Sequence, residues 1–189
     1  MKKIISFILV VILLITSSLS LVSCEKKVSE TEAIMIVEDL VKASYYLNEI
    51  FYGKGLPYIE DPDGVYDSIY SPVLPEQLIV TEEILRMETK KVFTASYSNS
   101  ILEHAFNMSK GGLSGSGSYQ RYVPMSDGYL TVMRDYDVID ITEYDYTSIN
   151  IEKIKRKKIY ANITSNKGVL VEVVVIKEEN GWRLDSATV

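Results

Sequence analysis

The sequence predicts an α+β fold: about three N-terminal helices packed on one face of an antiparallel sheet of roughly five to six strands. Two observations carry this expectation. Between residues 31 and 108, three stretches place apolar side chains at helical spacing, with Ser29, Thr81 and Thr94 standing at their starts. From residue 119 onward the pattern changes to short β-rich runs broken by Ser-Asp-Gly, Asn-Lys-Gly and Glu-Asn-Gly. Helices followed by hairpin-linked strands bury their apolar faces by layering one set on the other.

The first helix is expected over 31–52. Ala33, Val37, Leu40, Val41, Ser44 and Leu47 share one face and Phe51 extends it. Ser29 and Glu32 have capping-box spacing, and Gly53 suits the position just past the helix end. Residues 53–80 carry Gly53, Gly55, Pro57, Pro62, Gly64, Pro72 and Pro75, which predicts a long loop with one short strand over 65–71. Thr81 opens a second helix to about Val92, with Glu82 and Glu83 where the helix dipole favours acids. Thr94 caps a third, Ala95 to about Met108, whose inner face holds Tyr97, Ile101, Leu102, Ala105 and Phe106.

A Gly/Ser loop follows at 109–118. Strands are then expected over 119–125 and 129–134, forming a hairpin. An acidic connection spans 135–143. The remaining strands are expected over 144–154, 159–164, 169–177 and 182–187.

The chain has 189 residues, and its N-terminus reads as a processing segment. Lys2 and Lys3 precede an apolar run from Ile4 to Ile15, too short for the roughly 20 apolar residues a spanning helix needs. Leu21-Val22-Ser23-Cys24 then resembles the bacterial lipobox, which implies a signal peptide over 1–23 and lipidation of Cys24 as the mature N-terminus. Residues 24–30 form a short polar tether, and 31–189 a single domain at the extracytoplasmic face of the membrane. Without residues 1–23 the chain carries 18 basic and 26 acidic side chains, a net charge of −8. That balance opposes a nucleic-acid partner, because phosphate neutralisation needs a basic face. Cys24 is the one cysteine, so the expected domain has no disulfide, thiolate metal site or thiol nucleophile.

The chemistry-bearing candidates are few. His104 is the only histidine, and without a partner motif it reads as a structural side chain. The 111–118 loop matches neither a phosphate loop nor a nucleophile elbow. Glu60-Asp61-Pro62-Asp63-Gly64 lacks the distant glutamate of a calcium loop and reads as a turn. No cofactor and no metal are expected. Asp135, Asp137, Asp140, Glu143 and Asp145 place five acids in eleven residues. They form either a solvated rim or an electrostatic loop that docks a basic partner. Lys153, Lys155, Arg156, Lys157 and Lys158 form the opposite patch. They either protect a turn from aggregation or meet anionic lipid headgroups or wall polymers.

The element order and the closing Asn180-Gly181-Trp182-Arg183-Leu184-Asp185 resemble the cystatin-like and NTF2-like superfamily, in which a bent sheet wraps a long helix. The run Lys91-Val92-Phe93-Thr94 through the third helix, followed by Tyr122 to Asp135 with Ser126-Asp127-Gly128-Tyr129-Leu130, resembles secreted Firmicutes inhibitors of cell-wall D,L-endopeptidases. The aromatic-rich helix end at 45–52 fits the same layout. The resemblance implies a non-enzymatic binding module that restrains a peptidoglycan hydrolase. The other reading is an NTF2-like small-molecule binder or enzyme, with a helix–sheet pocket lined by tyrosines and Asp or His104.

Overall fold

The computed structural model describes residues 27–60, 69–107, 120–134 and 136–188. The signal segment, Cys24, the 61–64 part of the acidic turn, the Gly/Ser loop and Asp135 lie outside the described residues.

Helix α1 runs Glu30–Phe51 and begins where the sequence places its cap, with the Ser29 side chain accepting from the Glu32 N–H at 3.2 Å. Gly53 does follow the helix end, but the left-handed residue of this turn is Gly55, at φ +83°. A side chain at position 55 would collide with the Arg121 guanidinium, so only glycine fits there. Helix α2 (Glu82–Val92) is capped by Thr81 and helix α3 (Ala95–Phe106) by Thr94. Thr94 also donates to the Asp185 carboxylate at 2.8 Å and its N–H to the Leu184 carbonyl at 2.8 Å. The α2–α3 corner is thereby tied to the end of the chain.

The strands are β1 (Tyr70–Pro72), β2 (Tyr122–Pro124), β3 (Leu130–Met133), β4 (Tyr144–Lys155), β5 (Lys158–Ser165), β6 (Leu170–Glu178) and β7 (Gly181–Leu184). The class is α+β and all pairings between strands are antiparallel. One feature differs from the expectation of a single sheet of five to six strands. The seven strands form two sheets, one ordered β1-β3-β2 and the other β4-β5-β6-β7. The physical reason lies in the 136–143 connection. It runs past the end of α1, where the Ile139 N–H donates to the Tyr52 carbonyl at 3.0 Å, and lays no strand beside β3.

In β5 buried and half-buried residues alternate, and Ile159, Ala161 and Ile163 are fully buried. With Val173 and Val175 of β6 they belong to the same core as Ala33, Val37 and Val41 of α1. Tyr122, Leu130 and Val132 of the smaller sheet join that core, so a single apolar interior holds both sheets. The apolar phase change between Ile151 and Ile159 resolves as a register shift between Ile151 and Lys153 and a tight turn at Arg156-Lys157.

Candidate functional site

The acidic connection borders a groove of about 370 Å³ between the end of α1 and the β5–β6 turn. Two backbone hydrogen bonds tie the connection to its neighbours. Ile139 is bonded to Tyr52 as above, and the Asn166 N–H donates to the Glu143 carbonyl at 2.8 Å. Val138 and Ile139 remain 57% and 37% exposed despite being apolar. Such side chains beside charged ones are what a docking surface offers.

Of the five acids singled out in the sequence, Asp140 and Glu143 line this groove. Asp137 is exposed on the same connection but does not line it. Asp145 is used locally, its carboxylate accepting from the Thr147 N–H at 3.0 Å and the Thr147 hydroxyl at 2.6 Å. The structure adds a third carboxylate that the sequence did not mark, Glu49 of α1. Its side chain accepts from the Lys54 N–H at 3.2 Å and from the Tyr45 hydroxyl at 3.5 Å. The Tyr45 hydroxyl is pushed above its ordinary pKa, first by partial desolvation and then by the charges of Glu49 and Glu143. Lys54 and Lys167 line the same groove. Tyr45 and Glu49 are four residues apart on a helix, a spacing legible in the sequence. Their meeting with residues about 95 positions further along was not.

His104 lies elsewhere, in an aromatic cluster. Its ring packs on Tyr52 with centroids 5.9 Å apart, and Nε2 lies 3.4 Å from the Tyr136 hydroxyl. Burial pushes the Tyr52 hydroxyl up to about 12 and raises that of Tyr136, an effect Arg121 opposes. The Arg121 guanidinium stacks 4.2 Å from the Tyr136 ring centroid and donates to the Gly53 carbonyl at 2.7 Å. These contacts fasten the end of α1 to the smaller sheet.

Another groove, about 780 Å³, lies between the start of α2 and the β2–β3 hairpin. Its charges, Glu82, Glu83, Arg86, Lys90 and Asp127, are of both signs, and Arg86 pairs with Glu82 at 2.6 Å. Among the described residues no group of three or more His, Cys, Asp or Glu could hold a metal ion. No described helix is long and apolar enough to cross a membrane.

No protein-family model matches the chain, and no curated protein gives a significant match. The fold and the groove define the class as far as an α+β domain with an acidic, partly apolar cleft at one end of its larger sheet.

Proposed function

We propose that the protein is a lipid-anchored, extracytoplasmic binding module that docks a basic segment of an envelope protein in the groove beside α1. The single observation that carries this reading is the convergence of Glu49, Asp140 and Glu143 beside exposed Val138 and Ile139. Carboxylates at the rim steer and orient a basic partner, while apolar side chains supply the area that holds it. The partner class is a peptidoglycan hydrolase, restrained by occlusion, which is what the sequence resemblance implies.

The test mixes the purified protein with the wall hydrolases of its own cell envelope and measures binding and wall digestion. The expected result is a complex that slows digestion and is lost in the Asp140→Lys, Glu143→Lys variant. A parent protein that neither binds nor slows any hydrolase would falsify the inhibitor reading. Binding that survives the double charge reversal would remove the groove from it.

The cluster of Tyr52, His104, Arg121 and Tyr136 favours a second reading, a small-molecule site between helices and sheet. A small acid that perturbs the Tyr52 and Tyr136 ring resonances while sparing those of Tyr45 would support it. An unperturbed spectrum across a panel of small carboxylates would dismiss it.

A further inference from the structure

We propose that the β4–β5 hairpin is a second membrane contact that docks the domain on anionic phospholipid headgroups. The proposal rests on the lipid-anchor reading above and adds to it the face that meets the bilayer.

Position carries the argument. Lys153, Lys155, Arg156 and Lys157 are exposed around the hairpin tip, and Lys158 is half-buried beside them. The Lys177 N–H donates to the Lys157 carbonyl at 2.9 Å, which places β6's Lys177 at the same end. Two amphipathic aromatics join them. The Lys155 ammonium stands 5.3 Å from the Tyr160 ring centroid, and that of Lys177 stands 5.8 Å from the Trp182 ring. Cations with aliphatic stems beside Tyr and Trp are the composition found where proteins meet a membrane–water interface. Among the described residues no ion pair involves Lys153, Lys155, Lys157 or Lys158. The nearest acids are Glu152, beside Lys153 on β4, whose carboxylate accepts from the Asn150 and Asn162 side-chain amides at 2.6 and 3.0 Å, and Glu172 of β6, which lines the same groove as Lys153 and Lys155. Glu178 ends β6 and its carboxylate accepts from the Ala95 N–H at 3.1 Å, and Glu179 follows in the turn.

Helix α1 brings the start of the domain to this same end. Lys42 lies over the Tyr146 ring at 4.9 Å, and Asn48 donates to the Thr188 carbonyl at 2.8 Å. The second half of α1 therefore lies beside the first residues of β4, at the groove end. From Ser44 back to Glu30 the helix covers about 21 Å. The eight residues of β5, from Ser165 at the groove end to Lys158 at the hairpin end, cover about 23 Å. The chain ahead of Glu30 thus leaves the domain on the side of the basic hairpin. Glu30 and Glu32 in the first turn of α1, with Glu152 and Glu172 on the strands, reduce the positive field there, but the hairpin tip itself, residues 153–158, carries five cations and no acid.

Cys24 precedes Glu30 by six residues, at most about 20 Å of extended chain. Headgroup attraction fades within a Debye length of about 8–10 Å, so a basic patch acts only if it is held close to the surface. The shared end achieves that. It also turns the acidic groove, at the far end of the same strands, away from the bilayer and toward a partner.

The test uses the full protein extracted from membranes and reconstituted into neutral phosphatidylcholine vesicles or vesicles with about 30% phosphatidylglycerol. Lysines are labelled with an amine-reactive reagent and read by mass spectrometry. Labelling of Lys153, Lys155, Lys157 and Lys158 should fall about threefold or more on the anionic vesicles, with Lys54 and Lys167 unchanged. High salt should erase the difference. Equal labelling on both vesicle types overturns the proposal. So does protection by a soluble anionic wall polymer without protection by anionic vesicles, which would assign the patch to the wall. In Lys155→Glu, Lys157→Glu, at exposed turn positions, the protection of Lys153 and Lys158 should disappear; its persistence overturns the hairpin as the contact. The intact mass of the extracted protein shows separately whether Cys24 carries lipid, so failure of the anchor is distinguishable from failure of the docking face.

Discussion

Arg121 and Tyr122 show how two adjacent side chains lock a helix end. Arg121 is 2% exposed, and its Nε has no hydrogen-bond partner, yet its Nη2 serves the Gly53 carbonyl. A cation close to the end of α1 also complements the helix dipole. Arg121→Ala should cost about 3 kcal/mol in urea unfolding, from the cavity and the lost carbonyl partner. The Tyr122 hydroxyl donates to the Ile50 carbonyl at 2.8 Å and accepts from the Leu56 N–H at 3.0 Å. Tyr122→Phe should therefore cost about 1–3 kcal/mol at neutral pH. Burial pushes this hydroxyl up to about 12, with Arg121 and the Leu56 N–H opposing. The unfolded tyrosine ionises near pH 10, so the folded state keeps its proton longer. Stability complete below about pH 10 should fall by about 1.4 kcal/mol per pH unit on the way to 12. Urea midpoints measured across that range should show a shallower fall for Tyr122→Phe.

At the level of elements, two caps of the same chemical kind differ in what else they hold. Ser29 is exposed and its side chain caps α1 alone, so Ser29→Ala should cost about 1 kcal/mol. Thr94 is 4% exposed; it caps α3 and its hydroxyl reaches Asp185 after β7. Thr94→Val should cost about 2 kcal/mol, at the upper end for a cap, and loosen the chain end as well. Equal losses for the two variants in thermal unfolding would show that the Asp185 contact contributes nothing. The caps and turns were legible in the sequence: Ser29, Thr81 and Thr94 all cap, and Gly128 and Gly168 take positive φ at the predicted turns. Local chemistry decided these, since a cap needs only residues three positions apart.

Across the whole molecule, charge is distributed along the strands of the larger sheet. Glu49, Asp140 and Glu143 gather at one end and the lysines of the β4–β5 hairpin at the other. A basic partner steered to the groove should associate more slowly as salt rises. Stopped-flow association rates at low and physiological ionic strength should differ several-fold, and Asp140→Lys, Glu143→Lys should flatten that dependence. A rate indifferent to salt would mean that carboxylates do not guide the encounter.

By itself the sequence determined the α+β class, three helix starts, most strand positions and the two opposed charge runs, because periodicity and capping are local. It marked Asp140 and Glu143 but also Asp145, whose carboxylate is taken up by the neighbouring Thr147, and it passed over Glu49. Only the tertiary structure decided that the strands divide into two sheets. It also decided which acids share a groove and that this groove and the basic hairpin lie at opposite ends of the larger sheet. Those outcomes depend on contacts such as Asn48 with Thr188, 140 residues apart, and Ile139 with Tyr52. No window of sequence contains both partners of such a contact, so the packing of α1 on the sheet had to place them.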